Sequence, residues 1–197
     1  MGRLTLITGG AKSGKSAFAE SQCPADQSVC YVATGVVKHP DAEMQLRIKR
    51  HQQRRPAQWV TAERYRQVDD LLATDPYRDY LVDDATMLTT NLFYDLVADL
   101  ATAQQDPDFD HVLAQASRED LAHIRKQILD EWQRIIQVVA THDIHVIVVT
   151  NEVGLGIVPA TLQTRLLRDL YGEVNQRLAR AATAVTFVVS GLPQRLK

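Results

Sequence analysis

The 197-residue sequence predicts an α/β domain in three layers, with a mostly parallel sheet flanked by helices. Short apolar runs alternate with longer helix-like patterns along the whole chain. Some of these runs, such as Val146-Ile147-Val148-Val149, are continuously apolar, as strands covered on both faces are. A glycine-rich turn joins the first run to the helix after it.

Taken in order, Arg3–Thr8 reads as the first strand and Ser16–Gln22 as the helix behind it. Val29–Ala33 is the second strand. Asp41–Arg55 is expected to be a helix, with Asp41 as N-cap and Glu43 in the first turn. A short strand over Gln58–Thr61 and a short helix over Tyr65–Ala73 follow. Tyr80–Asp83 is another strand, and a long helix starts near Met87. Ser117 caps an amphipathic helix over Arg118–Ala140, with Glu119 and Asp120 in its first turn. Ile144–Thr150 is a β-branched strand, Thr161–Ala182 a helix and Val185–Ser190 the last strand. The length suits a single domain over residues 1–197. The polar, turn-rich stretch Ala101–Ser117 is expected to be a surface insertion.

Composition excludes several classes. A net charge of −2 gives no basic bias toward nucleic acid or an anionic membrane surface. No run of 18 apolar residues predicts a membrane span. Cys23 and Cys30 have neither zinc nor redox spacing, and two thiols suit a reducing, cytoplasmic setting. His39, His111, His123, His142 and His145 show no metal-ligand spacing.

Residues 9–16 read Gly9-Gly10-Ala11-Lys12-Ser13-Gly14-Lys15-Ser16, a full Walker A pattern between a strand and a helix. Its glycines let backbone N–H groups wrap phosphate oxygens. Lys15 adds a charge near the β and γ phosphates, and Ser16 offers a hydroxyl to Mg²⁺. Such a site needs a carboxylate at a neighbouring strand end, and Asp83 fits. Asp84 is expected to point to the other side. Farther along, Arg47, His51 and Arg55 share one face of the expected helix at i, i+4, i+8. Nearby cations favour neutral imidazole, which is nucleophilic, while arginines hold phosphate oxygens. By pattern alone such a stretch is more often an ordinary solvated basic face.

Several segments together resemble the bifunctional adenosylcobinamide kinase / adenosylcobinamide-phosphate guanylyltransferase family. They are Ile7–Ser16, Tyr31–Thr34, Arg47–His51, Arg55–Glu63, Thr90–Leu92, Val149–Pro159, Arg168-Asp169, Val174–Ala179 and Val188–Gly191. The likeness runs end to end, apart from the stretch 101–117.

The resemblance implies a RecA-like P-loop core and two reactions, with Mg²⁺ and GTP or ATP. A nucleoside triphosphate phosphorylates the aminopropanol hydroxyl of adenosylcobinamide. GTP then guanylylates His51, and the GMP passes to adenosylcobinamide phosphate, giving adenosylcobinamide-GDP. It assigns nucleotide contacts to Gly9–Ser16, to Ala33, Thr34 and Gly35, to Gln52, Gln53, Arg54 and Arg55, and to Glu63 and Asp83. Catalysis falls on His51 and Lys15, and the metal on Ser16 and Asp83. A homotrimer is also implied.

This chain departs from the family pattern in places. Arg50 stands where many relatives have a second histidine, Gln52-Gln53-Arg54-Arg55 where some have Lys-Asp-Gly-Arg, and Asp83 where many have Glu. Because the two reactions attack different phosphorus atoms, the helix carrying His51 is expected to be mobile or at a subunit edge. Asn151, Glu152, Gly154 and Gly156 follow a strand at the carboxyl edge, where ligands bind. Corrinoid or nucleotide contacts and a structural or subunit-contact loop both remain open there. A simple small-molecule kinase or a nucleotide-binding switch would share the phosphate loop.

Overall fold

The computed structural model describes residues 2–24, 26–36 and 55–197. The expected helix over 41–55, with Asp41 and His51, therefore lies almost wholly outside the described residues. Seven strands are described: β1 (Arg3–Gly9), β2 (Val29–Ala33), β3 (Val60–Glu63), β4 (Asp79–Asp83), β5 (His145–Asn151), β6 (Ala184–Val189) and β7 (Leu192–Arg195). Six helices are described: α1 (Lys15–Ser21), α2 (Val68–Thr74), α3 (Ala85–Gln104), α4 (Phe109–Gln115), α5 (Arg118–Thr141) and α6 (Leu162–Ala181).

The strands form one sheet in the order β3-β2-β4-β5-β1-β6-β7, parallel except for the antiparallel β6–β7 pair. β1 sits inside the sheet, with all seven of its residues in register with β5. Alternation along the strands separates two cores. Leu4, Leu6, Cys30, Val32, Tyr80, Val82, Val146 and Val148 pack against the large helical layer of α2, α3, α5 and α6. Ile7, Val29, Tyr31, Leu81, Ile147 and Val149 face the other way, with Ala19 and Cys23 around α1. Burial pushes the Cys23 thiol up to about 12 and the Cys30 thiol up to about 11, so neither is a ready nucleophile. Among the described residues, no helix is long and apolar enough to cross a membrane.

α5 starts at Ser117 with a capping box, in which the Ser117 hydroxyl accepts from the Asp120 N–H and the Asp120 carboxylate accepts from the Ser117 N–H. Its 24 residues span about 36 Å, against about 23 Å for a seven-residue strand. The trailing end lies by β1, where the Arg3 N–H bonds the Ile144 carbonyl. The leading half therefore outruns the sheet, where Leu121, Ala122 and Ile124 lie with Phe93 of α3 and with Leu166 and Leu170 of α6. Tyr94 of α3 stacks on Phe109 of α4 with centroids 6.2 Å apart, and the Gln163 amide of α6 donates to the Tyr94 hydroxyl.

Four elements differ from the sequence expectation. The third strand runs Val60–Glu63 rather than Gln58–Thr61, because Trp59 N–H closes a turn onto the Pro56 carbonyl. The following helix starts at Val68 rather than Tyr65, after Gln67 adopts a left-handed conformation. The stretch expected as a surface insertion contains α4, capped by Asp108, with Val112 and Leu113 buried in the main core. Last, β7 adds a hairpin beyond the final expected strand.

Trp132 is fully buried, and its indole N–H donates to the Thr89 hydroxyl at 3.0 Å, joining α5 to α3. Thr89→Val keeps the shape but orphans that donor. Urea unfolding should show a loss of about 1–3 kcal/mol.

Candidate active site

The phosphate loop leaves β1 at Gly9. A side chain there would lie 2.5 Å from the Val188 carbonyl and 2.6 Å from the Ser13 hydroxyl, so only glycine lets the loop turn against β6. The loop closes with the Ser13 N–H on the Gly10 carbonyl at 3.2 Å. Lys12 and Gly14 have φ of 59° and 93°, and Gly14 becomes the first flank of α1. That helix starts with no side-chain cap and no acid in its first turn, leaving its leading amides for an anion. Lys15 is buried, and its ammonium donates to the Gly10 carbonyl at 3.2 Å.

A second turn braces the loop from outside. Ser190 and Gly191 join β6 to β7 with φ of 50° and 80°, the two-residue hairpin turn that right-twisted strands prefer. The Gly191 N–H donates to the Ser13 carbonyl at 2.8 Å. A side chain on Gly14 would meet the Gly191 Cα at 3.2 Å.

Across the sheet edge, register places Ala33, Glu63 and Asp83 level at the ends of β2, β3 and β4, and Gly9 level with Asn151. The Ser16 hydroxyl points at Asp83 Oδ1, 3.4 Å away. The Tyr31 hydroxyl donates to Asp83 Oδ2. Burial first, and then the Asp83 charge, hold the Tyr31 phenol far above its ordinary pKa, so it stays a donor. Arg55 lies over the Tyr31 ring, 3.3 Å from its centre, and donates to the Thr61 hydroxyl at 3.1 Å. Its Nε is buried without a hydrogen-bond partner among the described residues, so one donor of the fork stays open.

Asp84 turns away from Asp83. It caps α3 through the Met87 N–H at 2.7 Å, and accepts from the Thr86 hydroxyl and from Asn151 Nδ2 at 3.0 Å. Burial raises the Asp84 carboxyl, and the bonds from Thr86 and Met87 pull it back. Thr34 is buried. Its hydroxyl donates to the Asp84 carbonyl and its own carbonyl accepts from Asn91 Nδ2 at 2.8 Å. Gly35 is exposed beside it.

The structure thus brings Gly9, Gly10, Ala11, Lys12, Ser13, Gly14, Lys15, Ser16, Ala33, Thr34, Gly35, Arg55, Glu63 and Asp83 to one edge of the sheet. His51, Gln52, Gln53 and Arg54 lie outside the described residues. Sequence reasoning passed over Tyr31, the tie from Asp84 to Asn151, and the Ser190-Gly191 brace. The serine–glycine pair ending the last strand was a readable hairpin signal. Nothing in the sequence marks the Tyr31 hydroxyl.

Among the described residues, no three acids, histidines or cysteines gather as a metal cluster. A phosphate-loop cation does not need one, because it draws ligands from a loop hydroxyl, a strand-end acid, phosphate oxygens and water. The Ser16–Asp83 pair fits that donor set.

A parallel sheet with a strand–phosphate-loop–helix junction at its carboxyl edge defines a P-loop nucleotide-binding enzyme. The model of the cobinamide kinase / cobinamide phosphate guanyltransferase family matches residues 5–196. The bifunctional adenosylcobalamin biosynthesis protein CobU of Escherichia coli is 38% identical over 98% of this chain and 99% of its own. Its namesake from Salmonella typhimurium is 39% identical over the same shares. The bifunctional adenosylcobalamin biosynthesis protein CobP of Pseudomonas aeruginosa is 35% identical over 98% of this chain and 96% of its own. The chain belongs to the cobinamide kinase / cobinamide phosphate guanyltransferase family, a family of transferases.

Gly191→Ala tests the brace. A methyl meets nothing within 4 Å, so the cost comes from φ alone. About 1–2 kcal/mol of strain is expected, seen as a lower Tm. The loosened phosphate loop should bind GTP several-fold more weakly in equilibrium dialysis.

Proposed function

We propose that the protein carries out both family reactions at one triphosphate site, formed by residues 9–16, which holds a fresh triphosphate for each reaction. The observation that carries this is the assembly of Lys15, Ser16 and Asp83 at the sheet edge, with Arg55 docked on the tyrosine that holds Asp83. In the kinase step, the aminopropanol oxygen of adenosylcobinamide bonds to the γ phosphorus. The nucleoside diphosphate leaves and the hydroxyl gives up its proton. Lys15 and the loop amides hold the outer phosphates and the negative charge moving onto them.

In the second reaction, an imidazole nitrogen of His51 attacks the α phosphorus of GTP and pyrophosphate leaves. The same outer phosphates are now the leaving group, so the same Lys15 and loop amides stabilise them. A phosphate oxygen of adenosylcobinamide phosphate then displaces His51 and takes the GMP. Mg²⁺, when bound, neutralises phosphate charge, and Ser16 and Asp83 are the residues that would hold it. Arg55 follows His51 by four residues in the chain. Its seat on Tyr31 supports a reading in which the His51 segment works against this edge. Gln52, Gln53, Arg54 and Glu63 complete the nucleotide contacts in this reading, with Ala33, Thr34 and Gly35 at the end of β2. A homotrimer and a cytoplasmic location belong to the same reading, and two unpaired, buried cysteines are in keeping with the latter.

The test is incubation with α-labelled GTP and Mg²⁺. The protein should acquire label that is acid-labile and base-stable, as a phosphoramidate is. His51→Ala should lose the label and keep cobinamide phosphorylation within a few-fold. A wild type that takes up no label would remove the guanylyltransferase half of this reading.

A further inference from the structure

The segment after β5 leaves the carboxyl edge directly beside the phosphate loop. Its start is fixed, since Asn151 Nδ2 donates to Asp84 Oδ2 at 3.0 Å and to the Thr86 hydroxyl at 2.7 Å. The Glu152 N–H donates to the carbonyl of Gly9, the first loop residue, at 3.0 Å. Its far end is fixed too, because Arg165 Nη1 donates to the Pro159 and Ala160 carbonyls at 3.1 and 2.6 Å. Between these anchors the segment reads Val153-Gly154-Leu155-Gly156-Ile157-Val158 and carries no charge.

Leu155 is 83% exposed, Ile157 95% and Val158 62%. Val153 in the same segment is exposed too, and outside it the large apolar residues exposed among the described residues are Val60 on β3 and Val189, Leu192 and Leu196 by the β6–β7 edge. A pinned loop that turns its large aliphatic side chains to solvent beside a phosphate site is built to be covered.

We infer that residues 153–158 are the platform for the corrin ring of the acceptor, an inference that rests on cobinamide being the substrate. The geometry of transfer favours this occupant. The reacting hydroxyl must approach the γ phosphorus to about 3–3.5 Å. That hydroxyl hangs on a side arm of a macrocycle, so the macrocycle must lie next to the phosphate loop. A corrin has a broad, methyl-studded apolar face, and Leu155, Ile157 and Val158 offer the matching surface. A nucleotide suits the segment less well, since its side chains offer no polar group to phosphate, ribose or base and the Gly154 N–H is already bonded to the Glu152 carboxylate. A second copy of this chain is the competing occupant, and the experiment separates it.

Adenosylcobinamide binding, read from corrinoid absorbance in equilibrium dialysis, is compared between wild type and Leu155→Ser/Ile157→Ser. GTP affinity, thermal unfolding and light-scattering mass are measured in parallel. Both side chains are exposed, so folding should be untouched, and Val60→Ser serves as a control for loss of an exposed apolar group elsewhere. The corrinoid Kd should rise at least about tenfold in the double variant, with GTP affinity within twofold, mass unchanged and Val60→Ser like wild type. Equal corrinoid binding by wild type and double variant overturns the platform while leaving the proposed function standing. A fall in mass overturns it in favour of a contact between copies. A wild type that neither binds nor phosphorylates cobinamide overturns the proposed function and the platform with it.

Discussion

The hydrogen bond from the Gly191 amide to the Ser13 carbonyl fixes the surface on which the rest of the site is built. A phosphate loop works by keeping backbone amides turned outward, in conformations a free chain would abandon. Here the loop is held at three points. Gly9 is pressed against the Val188 carbonyl, Gly14 is seated beside Gly191, and Ser13 is bonded to the C-terminal hairpin. The last two strands thus do more than extend the sheet. They hold in place a loop encoded at the other end of the sequence, Gly191 bonding back to Ser13.

The sheet order explains why the remaining groups arrive at the same edge. β5 and β6 flank β1, and β4 lies one strand beyond β5. Parallel register then brings Gly9 level with Asn151, and Asp83 level with Ala33 and Val149. The adjacent acids divide the edge between them. Asp83 faces Ser16 and Tyr31, on the side of the phosphate loop. Asp84 faces Thr86 and Asn151, where it caps α3 and anchors the aliphatic loop. One strand end therefore organises the phosphate-loop side and the start of the aliphatic segment together.

Much of this was legible in the sequence because it rests on local patterns. The glycine spacing of residues 9–16, the unbroken Val146–Val149 run and the Ser117 cap are each set by a few neighbouring residues, and each appears where expected. α4 was hidden because its polar surroundings outweigh two buried residues, although Asp108 followed by Phe109, Val112 and Leu113 is a cap with helical spacing. The short third strand was displaced by the turn at Pro56, whose closure depends on backbone geometry that composition does not show. Tyr31 was invisible for another reason. A tyrosine in an apolar strand looks like core until Asp83, 52 residues away, is placed against its hydroxyl. Contacts across parallel strands, such as Asn151 with Asp84, are likewise set by register, which no single segment encodes.

The central claim is that one braced loop holds a triphosphate that is cut at two different phosphorus atoms. In both cuts the outer phosphates gain charge or depart, and Lys15, whose ammonium sits on the Gly10 carbonyl of the loop, is the residue proposed to meet them. The most direct measurement is Lys15→Ala assayed side by side for cobinamide phosphorylation and for GMP label on the protein. Both rates should fall together, by about 10²–10³-fold, with the fold intact by circular dichroism. Loss of one activity with the other at wild-type level would contradict a shared loop and require separate nucleotide sites.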